Sequence, residues 1–305
     1  MNCNASDGPT HQWAITGHGT YQPCGRTIHA LPAGAYNCWL DNCGNTNFGA
    51  RILHVDDLID FPESLSGRIL REIGHFWTLG ERFRQFGYLH RRGYLFYGKQ
   101  GGGKSSLIHQ IISQIIANGH IAFFCDHPGV FVRCLENFRV VEPDRPIVCV
   151  FEDIDAIIEN YGDSQLLQWL NGNHQVDKAV DIASTNYPEK LDRRIIARPR
   201  RFDRILRIDS PEEQLRAAYF TKKLPDLSAS ERAKWMKLTE GLPFAALAEL
   251  VISVMCLGHD LEESAALLHS LDTHHPSSSE FGDGAAKAKN KRGRRNGAPV
   301  GEIPF

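Results

Sequence analysis

One segment restricts the fold of this chain more than any other, the run Gly98-Lys99-Gln100-Gly101-Gly102-Gly103-Lys104-Ser105. It lies between a short apolar run, "RGYLFY", and a stretch in which Leu and Ile recur at spacings of three and four, as on one face of a helix. Three successive glycines weaken any regular element, so they indicate a backbone held in a special shape. The spacing G-x-x-x-x-G-K-S between a strand and a helix is typical of a phosphate-binding loop.

The chemistry of such a loop gives its residues separate roles. Glycines let successive backbone N–H groups turn toward phosphate oxygens, and the following helix adds the positive end of its dipole. Lys104 is predicted to reach the β- and γ-phosphates, and the Ser105 hydroxyl to ligate Mg²⁺. The alternative is a flexible loop that only joins a strand to a helix. The predicted nucleotide-binding set is Gly98, Lys99, Gln100, Gly101, Gly102, Gly103, Lys104, Ser105 and Ser106.

The remaining patterns predict the fold class. Short β-prone runs at 120–125, 146–151 and 179–185 alternate with helical patterns, as in a buried parallel sheet with crossover helices. Strand patterns then stop, and four helical patterns follow Pro211, with Ser210 as the expected N-cap of the first. We therefore predict a three-layer α/β module with a parallel sheet, followed by a small α-helical lid domain.

Changes in composition predict four regions. Residues 1–67 are rich in Gly, Asn, Cys and Thr and are expected to form a small, turn-rich N-terminal region. The α/β module is predicted over 68–210 and the helical domain over 211–273. Residues 274–305 are poor in large apolar side chains and are expected to be a disordered basic tail. Such a tail either contacts nucleic acid or an acidic partner, or is simply solvated.

Composition also bears on location. No apolar run approaches the ~18 residues that a membrane helix needs, and the first residues lack the pattern of a signal peptide, so a cytoplasmic protein is expected. Several of the eight cysteines lie in apolar runs, which favours buried thiols in a reducing compartment over disulfides. A zinc site at Cys24, Cys38 and Cys43 with nearby histidines is a weaker alternative, because the short paired spacings are absent.

Two acids, Glu152 and Asp153, follow the apolar run "PIVCVF". Ligands of open α/β sheets lie beyond the carboxyl ends of the strands, so both carboxylates are expected to face a nucleotide in the glycine loop. The alternative is a cluster that caps the next helix, a role that suits Asp155.

Together with "STNYPEKLDRRIIARPRRFDR" (184–204), the loop and the acids resemble the AAA family of ATPases within the AAA+ superfamily, over about residues 68–270. The acid order and "TNYPEKLD" are most similar to the branch of the mitochondrial translocase that assembles the Rieske protein. "LPAGAY" (31–36) is similar to segments ahead of AAA modules in large phages, so a viral protein in the host cytoplasm is included in the expectation.

The resemblance implies an ATP- and Mg²⁺-dependent hydrolase that forms a homo-oligomeric ring, most often a hexamer, and remodels or translocates a protein or nucleic-acid client. The alternative is a nucleotide-gated scaffold or nucleic-acid-associated assembly factor with slow or secondary turnover. The membrane role of the translocase branch is not expected, because no segment is suited to cross a bilayer.

The resemblance also implies individual roles. Glu152 would lie on the Mg²⁺ side and Asp153 would polarise the attacking water, which reverses the usual order of the two acids. Asn186 matches the sensor 1 position, where an amide helps to orient water; its alternative is a turn residue before Tyr187. Arg198 and Arg201 match arginine fingers that reach the nucleotide of a neighbouring subunit; their alternative is a basic surface patch.

Two departures from the family pattern matter. The predicted helix over 243–257 contains no Lys or Arg, so a sensor 2 arginine that contacts the nucleotide in cis is not expected. No clean aromatic-hydrophobic-glycine pore motif follows the second strand, and Phe131 is interpreted as a core aromatic more readily than as a pore residue.

Overall fold

The computed structural model describes residues 12–17, 20–25, 27–53, 65–171, 176–196, 201–208 and 210–273. The internal contacts of the chain divide it into two compact units, Met1–Leu227 and Ser228–Phe305. The division falls later in the chain than the predicted boundary at residue 211.

The first unit is built on a seven-stranded sheet with the strand order β4-β3-β6-β7-β8-β5-β9, and β1 and β2 pair separately as an antiparallel hairpin. Within the large sheet β3 and β4 pair antiparallel, whereas the other neighbouring strands are parallel. The strands are β1 (Gln12–Gly17), β2 (Thr20–Cys24), β3 (Gly34–Leu40), β4 (Thr46–Arg51), β5 (Arg91–Tyr97), β6 (Ile121–Phe124), β7 (Ile147–Phe151), β8 (Ala179–Thr185) and β9 (Arg204–Arg207).

Helices cover both faces of this sheet. One apolar cluster joins α1 and α3 to one face, through side chains such as Ile73 and Ile111, and a second joins α4, α5 and α6 to the other, through side chains such as Leu135 and Leu166. This arrangement confirms the predicted three-layer α/β fold. The helices of this unit are α1 (Leu65–Thr78), α2 (Gly80–Gln85), α3 (Lys104–Ala117), α4 (Pro128–Val141), α5 (Ile154–Tyr161), α6 (Ser164–Leu170), α7 (Arg193–Ile196) and α8 (Glu213–Lys223).

The central strands are buried along their whole length, as their continuous apolar sequences predict. The charged exception is Asp181 of β8, which is 2% exposed. Its carboxylate accepts hydrogen bonds from Arg91 Nη2 at 2.5 Å and Trp169 Nε1 at 2.9 Å, and Arg91 Nη1 donates to the Trp169 carbonyl oxygen at 2.6 Å. The buried charge is therefore fully paired.

The position of the N-terminal strands does not agree with the predicted region boundary at residue 67. β3 pairs in parallel with β6, and β4 pairs with β3, so residues 34–51 extend the central sheet instead of forming a separate region. Tyr36 and Phe48 pack their rings against Phe123 of β6. Without β3, the apolar strand β6 would be an exposed sheet edge, which is a site of unwanted pairing.

The cysteines divide into two groups. Cys125, Cys134 and Cys149 are buried free thiols, as expected, and Cys38 is also free, whereas Cys256, which lies in an apolar run and was expected to be buried as well, is exposed. Cys43 is disulfide-bonded, which corrects the expectation that disulfides are absent. Within the described residues no group of three or more His, Cys, Asp or Glu side chains could hold a metal ion, so the described part gives no support to the zinc alternative.

The second unit contains α9 (Ala229–Leu238), α10 (Phe244–Val251), a π-helical turn (Ile252–Cys256) and α11 (Leu261–Thr273). Ser228 and Glu231 form a reciprocal capping box at the start of α9, which satisfies two backbone donors there.

The helix predicted after Pro211 is α8 of the first unit. Its N-cap is Glu212, so the expectation of a cap at Ser210 is wrong. No helix in the described segments combines the length and apolarity needed to cross a membrane.

Candidate functional site

The glycine loop connects β5 to α3 at the carboxyl edge of the sheet. Gly101 and Gly103 have φ angles of +73° and +94°, a region that side chains rarely adopt. A Cβ atom on Gly98 would lie 2.1 Å from the carbonyl oxygen of Ile208, which follows β9. Glycine is therefore required at these positions by the backbone itself.

Lys104, the first residue of α3, is folded back over the loop. Its Nζ donates to the carbonyl oxygens of Gly98 at 2.9 Å and Lys99 at 2.8 Å, and the residue is 6% exposed. Burial lowers the pKa of Lys104, and the charges of Asp153 and Asp155 act in the opposite direction. The ammonium group is thus held between the loop and the acids that follow β7.

The backbone amides of the loop are not all alike. The Gly102 N–H donates to the Lys99 carbonyl oxygen at 3.2 Å, so this amide of the glycine triplet is used by the turn itself. Gly103 precedes α3 without a side-chain cap. The first-turn amides of a helix have no intrahelical acceptor, and together with the helix dipole they favour an anion. The start of α3 is therefore the best-placed phosphate site.

Glu152 lies beside Ser105, as the predicted metal pair requires. Its Oε2 lies 3.3 Å from Arg51 Nη2, and its Oε1 lies 3.5 Å from His109 Nε2. Burial acts to raise the pKa of Glu152, but the hydrogen bond and charge of His109, the charge of Arg51 and a hydrogen bond with Ser105 hold it below its usual value. Glu152 is therefore an anionic oxygen donor next to a hydroxyl, the donor chemistry that suits Mg²⁺.

Asp153 adopts a left-handed backbone conformation, with φ +46° and ψ +56°, which aspartate tolerates better than most residues. Its N–H donates to Ser184 Oγ at 3.2 Å, and its Oδ1 lies 3.4 Å from Asn186 Nδ2. Burial, followed by the charges of Asp155 and Glu152, raises the pKa of Asp153. The structure thus brings together the two side chains predicted to orient water.

The capping alternative for the acids is not what the structure shows. Asp153 occupies the N-cap position of α5, yet its side chain makes no capping hydrogen bond. Asp155, the acid expected to cap, instead accepts a hydrogen bond from Thr185 Oγ1 of β8 at 2.6 Å. That expectation is wrong because a partner on the neighbouring strand satisfies the carboxylate.

The two predicted arginine fingers have different outcomes. Arg198 lies outside the described residues. Arg201 is 4% exposed, and its Nε and Nη2 donate to Asn171 Oδ1 at 2.9 and 2.6 Å. A finger must be accessible to a neighbouring subunit, so this buried and hydrogen-bonded position does not fit that role.

Sequence reasoning missed two residues near Glu152. His109 follows Ser105 by four positions on α3, so helical spacing could have placed it on the same face. Arg51 carried no local signal, because only the pairing of β4 and β3 with β6 brings it to the site. By contrast, Phe131 packs against Phe151 and Trp169 with ring centroids 5.4 and 5.5 Å away, and the core interpretation is confirmed.

A comparison with protein families gives a match that coincides with this site. Residues 94–210 match the model of the ATPase family associated with various cellular activities (AAA). Over these residues the chain is similar to an AAA ATPase module. This match confirms the expectation of an ATP hydrolase with the three-layer AAA architecture, whereas the likeness to the Rieske-translocase branch and to phage modules stays a prediction.

Curated relatives of the AAA module include bacterial proteins named ATP-dependent zinc metalloprotease FtsH. FtsH 3 of Sphaerobacter thermophilus is 31% identical over 184 residues, which are 54% of this chain and 36% of that protein. FtsH 1 of Symbiobacterium thermophilum is 29% identical over 206 residues, 60% of this chain and 34% of that protein. FtsH of Hahella chejuensis is 23% identical over 201 residues, 60% and 32% of the two chains. The chain spans about a third of the length of these relatives.

Proposed function

We propose that the protein binds ATP with Mg²⁺ at the loop 98–106 and couples its hydrolysis to work on a macromolecular client. The observation that supports this most is the convergence of Lys104, Ser105, Glu152, Asp153 and Asn186 at the carboxyl edge of β5, β7 and β8. Nucleotides of open α/β sheets bind at this edge.

Each side chain has a role that its position permits. Lys104 contacts the terminal phosphates, while Ser105 and Glu152 lie on the Mg²⁺ side. When bound, Mg²⁺ neutralises negative charge on the phosphate oxygens. Asp153 accepts a hydrogen bond from the attacking water, and the adjacent Asn186 amide donates a hydrogen bond to the same water. The 3.4 Å separation of Asp153 Oδ1 and Asn186 Nδ2 supports this arrangement.

We further propose a homo-oligomeric ring, most often a hexamer in proteins of this type, in which Arg198 reaches the nucleotide of the adjacent subunit. The relatives are named for ATP-dependent proteolysis, so a protein client is favoured over a nucleic acid. The cytoplasm, or the host cytoplasm for a viral protein, is the proposed location, and no membrane partner is proposed.

A second candidate is a nucleotide-gated scaffold whose turnover is slow or secondary. The acid order favours it, because aspartate at 153 is one methylene shorter than the glutamate usual at that position and holds water less closely. Binding and turnover have to be measured separately to distinguish the two candidates.

The test compares the wild type with Lys104→Ala, Asp153→Asn and the control Lys222→Ala, an exposed lysine on α8. Binding of a fluorescent ATP analogue and Mg²⁺-dependent release of phosphate are measured for each. We expect Lys104→Ala to lose binding, and Asp153→Asn to retain it while turnover falls by about 10²-fold or more. The control should match the wild type.

The outcomes separate the proposals. Wild-type turnover no higher than that of Lys104→Ala, with binding retained, supports the scaffold and rejects the hydrolase. If none of the variants loses binding of the ATP analogue, the proposed nucleotide site is rejected. A monomeric mass in the presence of ATP and Mg²⁺ rejects the ring.

A further inference from the structure

Three contacts join the end of β8 to the start of α5 beside the proposed nucleotide. Ser184 Oγ accepts from the Asp153 N–H at 3.2 Å, Asn186 Nδ2 lies 3.4 Å from Asp153 Oδ1, and Thr185 Oγ1 donates to Asp155 Oδ1 at 2.6 Å. The first two hold the residue proposed to orient water. The third involves two side chains that have no role in the chemistry described above. We propose that Thr185 and Asp155 are positioning residues that set Asn186 against Asp153.

The Thr185 hydroxyl fixes the backbone on both sides of Asn186. Its oxygen accepts a hydrogen bond from the Tyr187 N–H at 3.0 Å while its proton goes to Asp155. Thr185 is 0% exposed, and a β-branched side chain has few rotamers, so the hydroxyl cannot readily turn away. Because the residues before and after Asn186 are both fixed, the hydroxyl sets the position and direction in which the Asn186 side chain leaves the backbone.

Asp155 supplies the anchor for this hydroxyl. It lies on the first turn of α5, two residues after Asp153, so the same helix start carries the anchor and the acid proposed to orient water. A hydroxyl-to-carboxylate hydrogen bond at 2.6 Å is in the range of charge-assisted bonds, which are roughly twice as strong as neutral ones. Asp155 therefore acts through Thr185, and neither residue needs to touch ATP.

This inference rests on the proposed function, since it concerns how Asn186 takes part in hydrolysis. The competing view is that the pair only stabilises the fold. Loss of a purely stabilising contact lowers the free energy of unfolding but leaves the kinetic role of Asn186 intact. Loss of a positioning pair lowers turnover specifically through Asn186.

The experiment uses four variants of the full chain. Thr185→Val removes the hydroxyl with little change in shape, and Thr185→Ser keeps it. Asp155→Ala removes the acceptor, and Asp155→Asn keeps an acceptor oxygen in the same place. For each variant we measure kcat and KM for ATP, the affinity for a fluorescent ATP analogue, and the denaturant midpoint of unfolding.

We expect Thr185→Val and Asp155→Ala each to lower kcat about tenfold, with KM and analogue affinity within about twofold of wild type. Thr185→Ser and Asp155→Asn should retain kcat to within about threefold, because the hydrogen bond persists. In the Asn186→Ala background, Thr185→Val should change kcat by less than about twofold, since residues that act through one another are not additive.

Two results would overturn the inference. One is an unchanged kcat in both Thr185→Val and Asp155→Ala. The other is a loss of kcat in the Asn186→Ala background as large as in the wild type, which would make the pair a purely structural contact. If Thr185→Val fails to fold, Asp155→Ala and its Asp155→Asn rescue carry the same test. Wild-type turnover no higher than that of Lys104→Ala rejects the proposed function and this inference with it, whereas normal wild-type turnover with unaffected variants rejects the inference alone.

Discussion

Arg51 Nη2 lies 3.3 Å from Glu152 Oε2, although the two residues are 101 positions apart in the chain. The guanidinium group also lies 4.0 Å over the ring of Phe124, and its Nη1 donates to Asn37 Oδ1 at 3.2 Å. Three contacts thus hold a cation of the N-terminal strands against an acid of the candidate site. The N-terminal strands and the nucleotide loop belong to one structural unit.

The Arg51–Glu152 pair is expected to contribute modestly to stability. Arg51→Met keeps much of the side-chain length and removes the charge, and we expect a loss of about 0.5–1 kcal/mol in the free energy of unfolding, because both side chains remain partly exposed to water. A double-mutant cycle with Glu152→Gln, measured by urea unfolding, isolates the pair. Arg204→Met, which removes a more exposed ion pair with Glu72, is the control. A coupling free energy of zero would contradict the prediction.

Much of the site could be predicted because its signals are local. The apolar run of β8, the glycine spacing at 98–105 and the helical stripe of α3 each depend on neighbouring residues alone. The parallel sheet then brings the ends of β5, β7 and β8 together without further information. For this reason the sequence alone could indicate that Lys104, Glu152 and Asp153 lie at the same edge of the sheet.

The features that sequence reasoning missed depend on pairing between distant segments. Nothing near Arg51 indicates that β3 would add to the edge of β6. Arg201 lies in a basic segment that looks exposed, yet its side chain is buried against Asn171. The local sequence suggests that Asp155 caps a helix, but in the structure its carboxylate accepts a hydrogen bond from the Thr185 hydroxyl. In each case a contact in the folded chain overrides the local pattern.

Gly93 of β5 is predicted to resist substitution. A Cβ atom there would lie 2.0 Å from the Arg201 carbonyl oxygen, and the Gly93 backbone exchanges hydrogen bonds with Asp203 at 3.0 and 2.9 Å. Gly93→Ala should therefore lower the free energy of unfolding by about 2–3 kcal/mol, since the backbone must move apart. Gly74→Ala in α1, where nothing lies within 4 Å, should instead be neutral or stabilising by up to about 1 kcal/mol. Equal effects in chemical unfolding would refute the steric argument.

Asp181 should be among the most sensitive charged residues of the sheet. Asp181→Leu leaves the Arg91 guanidinium buried without its counter-ion, which we expect to cost about 3–5 kcal/mol of stability. The double variant Arg91→Met with Asp181→Leu removes both charges and should recover part of that loss, as measured by urea unfolding. If the double variant loses as much free energy of unfolding as the two single variants lose together, the charge pair is not the cause of the instability.

His120 is expected to make the stability of the fold depend on pH. Its ring packs against Trp77 with centroids 4.3 Å apart, and partial burial, followed by the nearby charge of Arg145, lowers the pKa of His120. In the unfolded chain its pKa returns to about 6.5, so below that pH the unfolded state binds the proton more readily. The contribution of neutral His120 to the stability of the fold is therefore fully present above about pH 6.5. It is lost as the pH falls through the lowered pKa of His120 in the folded protein. His120→Gln should narrow the difference between the urea midpoints at pH 7.5 and pH 5.5, whereas an unchanged difference would assign the pH dependence to other groups.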